Sequence, residues 1–113
     1  MTPAEILRGA RRILTDPKRW VQGYYACDVH GYRCEVGHHN AIRFCLAGAI
    51  GLYGHPGHKA DAVSIAVPVL KRVLGIDPID SLTKWNDAPE RTHTEVLAAL
   101  DAAISLAERE ATP

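Results

Sequence analysis

Net charge is what this sequence of 113 residues lacks first: 13 Lys and Arg meet 13 Asp and Glu. Without a uniform field to draw polyanions, neither nucleic acid nor an anionic membrane is expected as a partner. Long apolar runs are missing too, since charge interrupts each of them well short of the ~20 residues that span a bilayer. The opening stretch from Met1 to Arg12 has no apolar h-region, so the expected location is the cytoplasm. Cysteine is scarce, and Cys27, Cys34 and Cys45 are too few and too odd in number for the disulfide framework of a secreted scaffold. Reduced thiols are the expectation. There is no glycine-rich phosphate loop, no G-x-S-x-G elbow and no H-E-x-x-H helix, which removes the commonest nucleotide, serine-hydrolase and zinc-protease signatures. No cofactor is expected.

What is present is ordinary globular material, 47% hydrophobic and 23% charged. That composition and length fit a single domain over residues 1–113 with one core. The cancelling charges are unevenly spread. Residues 1–60 carry eight Lys/Arg and four Asp/Glu, a net +4, whereas residues 61–113 carry five and nine, a net −4. Two halves of opposite sign attract when they pack. The other reading is an exposed basic face from Arg8, Arg11, Arg12, Lys18 and Arg19 that meets an acidic partner.

Thr2-Pro3-Ala4-Glu5 is a capping box with proline at the first helical position, and the apolar spacing of Ile6, Leu7, Ala10, Ile13 and Leu14 predicts a helix over 3–14. Asp16-Pro17 stops it. Residues 24–36 favour strand around His30-Gly31, which predicts a β-hairpin with a two-residue turn that sets Val29 against Tyr32, Asp28 against Arg33 and Cys27 against Cys34. Asn40 can cap a second, strongly apolar helix over 40–53, stopped by Gly54, with Gly48 marking a close approach of another chain segment. After the His55-Pro56-Gly57 loop, a third helix runs toward Gly75, and Pro68 either kinks it or starts a new one. Asp80 or Ser81 caps a turn through Trp85. Thr92-His93-Thr94-Glu95 is a second capping box ahead of a last amphipathic helix. The fold class is therefore α+β, mostly helical: four or five helices around the central apolar helix, with one small β-hairpin at its edge.

Three groups of residues could carry chemistry. Cys27, His30, Cys34 and His38 have zinc-ligand chemistry, but their spacing is split across the hairpin instead of forming knuckles, and the plainer reading is packing on one hairpin face. Cys45 could be a thiol nucleophile with an imidazole from His38, His39, His55, His58 or, as the chosen candidate, His93, and with Asn86 or Asp87 to orient it. Against that, a cysteine more than a turn inside a helix begun at Asn40 gains little from the helix dipole, and free cysteine usually fills space in a core. In Trp85-Asn86-Asp87-Ala88-Pro89, Trp85 can anchor the short helix, Asn86 can end it in a left-handed conformation, and Asp87 can cap the turn before Pro89.

Three motifs, Arg19-Trp20-Val21-Gln22-Gly23 with Tyr25-Ala26, the segment from Ala41 through Arg43-Phe44-Cys45 to Ile50, and Trp85-Asn86-Asp87-Ala88-Pro89-Glu90-Arg91-Thr92, together resemble an uncharacterised family of short bacterial and phage proteins. The resemblance spans most of the chain and implies no known activity. It implies that Trp20, Cys45, Trp85, Asn86 and Asp87 belong to a shared pattern, while the hairpin cysteines and His30 depart from the family's usual Asp-, Gly- and Pro-rich hairpin. The expected function is an interaction module from a phage or mobile-element context, which binds a protein partner through Tyr24, Tyr25, His30, Tyr32 and Arg33, residue types that favour contact surfaces. The alternatives are a small cysteine hydrolase or transferase and a zinc-carrying hairpin. The oligomeric state is left open.

Overall fold

The computed structural model describes residues 1–53 and 59–111. The predicted Gly54 stop, the His55-Pro56-Gly57 loop, and the histidines at 55 and 58 lie outside them. Helix α1 covers Pro3–Leu14. Its capping box closes as predicted: the Glu5 N–H donates to Thr2 Oγ1 and the Thr2 N–H to the Glu5 carboxylate, both at 3.2 Å. Ile6, Leu7, Ala10 and Leu14 are fully buried on its inner face. The chain then makes a single 3-10 turn, Pro17–Arg19, capped by the Asp16 carboxylate, which accepts the Lys18 N–H at 2.9 Å.

Two short strands follow, β1 (Ala26–Cys27) and β2 (Arg43–Phe44), antiparallel with Ala26 opposite Phe44 and Cys27 opposite Arg43. This small sheet replaces the predicted ladder over 24–36. The predicted register is also corrected. The turn is a three-residue loop in which Asp28 N–H donates to the Tyr32 carbonyl at 2.9 Å, with Gly31 at φ 85°. The Asp28 carboxylate fixes it by accepting the His30 and Tyr32 N–H groups at 2.9 and 3.0 Å. A type I turn closed by a left-handed glycine takes one residue more than the two-residue turn. Cys27 therefore faces Arg33, and Cys34 N–H bonds to the Ala26 carbonyl at 3.2 Å. A slip of one residue moves Cys34 to the other face.

The central helix is likewise shorter than predicted. Helix α2 covers Leu46–Tyr53 and does not begin at Asn40. Ile42, Cys45, Leu46 and Ala49 fit a helical period, but Arg43 and Phe44 between them are drawn into pairing with β1, which brackets them with bonds from Ile42 N–H to Cys27 O (2.9 Å) and from Cys45 N–H to Tyr25 O (3.3 Å). Asn40 sits exposed in a turn, its N–H on His38 Nδ1 at 3.1 Å. The close approach expected at Gly48 is present: a β-carbon there would overlap the Tyr25 carbonyl.

Helix α3 (Lys59–Leu74) runs as one helix through Pro68 and ends at Gly75, where Gly75 N–H bonds to Arg72 O and Ile76 N–H to Lys71 O. Those two bonds form a Schellman stop. Helix α4 (Leu82–Asn86) is capped by Ser81, and α5 (His93–Ala111) by the Thr92/Glu95 box. Helices α1 and α3 pack on α2, and α5 packs in turn on α1 and α3; Leu46, Ala49 and Ile50 of α2 are fully buried in the same core as Ile6, Leu70, Val96 and Leu100. The architecture is mostly helical α+β, with five α-helices among the described residues. Ion pairs Arg8–Glu108 (2.9 Å) and Arg11–Asp101 (3.0 Å) join α1 to α5, so the basic first half packs on the acidic second half. No described helix is long and apolar enough to cross a membrane.

Candidate functional site

The centre of the polar architecture is Asn86, the only buried polar residue among those described. Its Oδ1 accepts from Trp20 Nε1 at 2.8 Å and from the Leu46 N–H at 3.1 Å, while Nδ2 donates to the Val21 carbonyl (3.1 Å) and to Asp87 Oδ1 (2.9 Å). Gln22 adds a fork, its Nε2 reaching the Asn86 and Ala88 carbonyls at 2.9 and 2.8 Å. Asp87 Oδ1 also takes the Gly23 N–H at 2.9 Å. Four bonds on one amide satisfy both its donors and load its oxygen twice, which makes burial without charge affordable. Asn86 is thus not a left-handed terminator: the last helical residue of α4 keeps negative φ, and Asp87 is the C-cap, its N–H on Thr83 O.

Cys45 directly precedes α2, so it occupies the N-cap position and not a place deep in a helix. Its Sγ accepts the Gly48 N–H at 3.4 Å. Burial pushes the thiol up from its ordinary value, the amides of Gly48 and Ala47 pull it down, and the nearby Asp87 carboxylate raises it again, for a net rise. The thiol is therefore neutral at pH 7, and only 2% of the residue is exposed. Cys34 is half-buried and is also shifted up, by burial, Asp28 and Cys27. His93 stands elsewhere: Nε2 lies 2.6 Å from the Leu14 carbonyl at the end of α1, with the ring 6.3 Å from that of Trp20. A carbonyl only accepts, so Nε2 carries the proton. The structure brings Cys45 and Asp87 together but seats His93 against α1.

A cleft of about 880 Å³ opens in front of Cys45, between the 23–25 and 33–36 segments and helices α3 and α4. Val36, Val63, Val67 and Leu82 give it apolar walls, and Arg33, Glu35, Lys71 and Asp87 give it charges of both signs. Of the surface residues expected at a partner interface, Tyr24, Tyr25 and Arg33 line this cleft, with the Arg33 guanidinium 5.4 Å from the Tyr24 ring centre. Tyr32 is 71% exposed at the hairpin tip, its ring 6.4 Å from that of His30. His38 stacks on His39 at 4.4 Å. Among the described residues no three His, Cys, Asp or Glu side chains are grouped as metal ligands, Cys27, His30, Cys34 and His38 included. Sequence reasoning missed Glu35 and Lys71, which only α3 and the 33–36 segment bring together. It also missed the capping place of Cys45, because cysteine is not among the usual N-cap residues.

The fold and the site define a small, mostly helical α+β domain held by one buried amide beside an open cleft. Residues 1–106 match a family of unknown function, DUF6197, and the chain belongs to that family. No curated protein and no solved structure matches it.

Proposed function

We propose that this member of the family is a binding module that engages a protein partner through the face built by residues 24–42. The observation that supports this reading is where the exposed apolar side chains lie. Of seven large hydrophobics left exposed among the described residues, Tyr24, Tyr25, Val29, Tyr32 and Ile42 fall in that one segment, with Met1 and Ile79 elsewhere. Aromatic side chains clustered beside an arginine are the residue types enriched at the centre of interfaces. The working location is the cytoplasm, where three unpaired thiols stay reduced, in the bacterial or phage setting that the family resemblance implies. The test is to retain partners on the tagged protein from a lysate of its own host, with Tyr25→Ser and Tyr32→Ser variants alongside. Loss of the partner with an unchanged melting temperature supports the reading. Failure to retain any partner, together with turnover of an ester or amide that depends on Cys45, overturns it.

A second reading, a cysteine hydrolase or transferase, is favoured by one observation: Cys45 Sγ sits at the start of α2 on the wall of the cleft. Helix N-termini promote thiolate formation, but here burial and Asp87 prevail. Iodoacetamide at neutral pH separates the readings. The binding module labels the half-buried Cys34 first, and the hydrolase labels Cys45 first.

A further inference from the structure

The cleft in front of Cys45 lies within the size range of ligand sites, and its walls carry charges that the described residues leave uncompensated. The Arg33 guanidinium lies over the Tyr24 ring but pairs with no carboxylate, and the Glu35 carboxylate has no hydrogen-bond or ion-pair partner among the described residues. Lys71 spends one of its three N–H donors on the Pro78 carbonyl at 2.9 Å. Asp87 takes its two bonds on Oδ1, so Oδ2 faces no described donor. Val36, Val63, Val67 and Leu82 line the same cleft with apolar surface.

This mixture selects the occupant. A singly charged small molecule meets a like charge on the wall whichever sign it bears, and like charges brought together in an interface are costly. An extended main chain carries N–H donors that suit Glu35 and Asp87 and carbonyl acceptors that suit Arg33 and Lys71, in alternation, while its side chains point to opposite sides. An aliphatic side chain then covers Val63 and Val67. We infer that the cleft receives an extended peptide segment of the partner, near neutral overall, with an aliphatic residue as its anchor. This rests on the binding reading and adds to it the chemistry of what is bound.

The test follows the amide resonances of the ¹⁵N-labelled full chain during titration with a capped octapeptide whose central leucine is flanked by one lysine and one glutamate. Two further versions carry two glutamates or two lysines as flanks. The neutral peptide is expected to move the amides of Arg33, Glu35, Gly48 and Val67 at lower concentration than either charged version. Glu35→Arg, an exposed change that leaves the fold intact, is expected to reverse the preference several-fold toward the two-glutamate peptide. Tyr32→Ser, outside the cleft, is expected to leave it unchanged. Unmoved cleft amides with all three peptides, equal response to the three, or no reversal in Glu35→Arg overturns the inference. The two proposals fail separately. If a folded Val67→Glu variant retains the partner as the wild type does, the cleft inference falls and the binding face stands; if the Tyr32→Ser variant, altered outside the cleft, keeps the partner while the peptide still moves the cleft amides, the reverse holds.

Discussion

The helical body and the 20–45 segment are stabilised in opposite ways. In the body the described caps are local: Thr2 with Glu5, Thr92 with Glu95, and the Gly75 stop are bonds between residues no more than five positions apart. The 20–45 segment has only two residues in each strand, and its order comes from bonds to distant parts of the chain, from Trp20, Val21, Gln22 and Gly23 to residues 86–88. The contrast teaches that local signals can specify scaffolding, while the face that presents exposed tyrosines depends on one remote polar anchor.

If that contrast holds, the deepest damage comes from the anchor. Asn86→Ala orphans the Trp20 and Leu46 N–H groups and the Val21 carbonyl, and is expected to cost about 4 kcal/mol, read by urea unfolding. An equal loss from truncating an exposed polar side chain of α5 would erase the distinction between the regions. Gly48→Ala comes next, since its methyl must push the Tyr25 carbonyl aside, at about 3 kcal/mol. The loss should be accompanied by altered fluorescence of the neighbouring tyrosines.

Titration sharpens the comparison from both ends of the pH scale. The Cys45 thiol is raised in the fold, so the unfolded chain ionises first. The stability it provides is complete below about pH 8.5 and is lost as pH rises through the folded value. Melting temperature should therefore fall on the alkaline side, and less so in Cys45→Ala. Glu5 and Glu95 are lowered by their capping bonds, first by the Thr2 side chain and by the Thr92 backbone respectively, and Glu110 by Arg72. Their contribution is present above the ordinary glutamate value and is lost as pH falls below about 4. These three carboxylates sit on α1 and α5 of the helical body, and Glu95→Gln should blunt the acid loss. The smallest effect is expected at Arg11→Ala, which breaks the exposed pair with Asp101 and should cost less than about 1 kcal/mol by thermal melting.

What could be read in the sequence follows the same division. The 3–14 helix, both capping boxes and the Gly75 stop were legible, and the α4 cap was narrowed to Asp80 or Ser81, because each is a bond between near neighbours with a residue-type signature. Arg43 and Phe44 were not, because Ile42, Cys45, Leu46 and Ala49 fit a helical period and the competing pull of β1 lies 16 or more positions away. The Asp28 side chain decided the hairpin register by favouring a longer turn than His30-Gly31 suggested. Asn86 and Asp87 stood out in the sequence, yet it offered them turn and cap roles or the orienting of a catalytic imidazole, and not the anchoring of a distant segment. The bonds of the Asn86 side chain to Trp20, Val21 and Leu46 span 40 to 66 positions, and no periodicity encodes that.

Those spans bear on the order of events in folding. A buried side-chain network aligns only once the elements that carry its members have docked, so the Asn86 bonds are expected to close after the helices meet. Truncating Asn86 should then leave the refolding rate nearly unchanged and quicken unfolding. In the native state, the backbone amides at 20–27 and 43–46 should exchange with solvent together as one cooperative unit, through an opening that leaves α1, α3 and α5 protected.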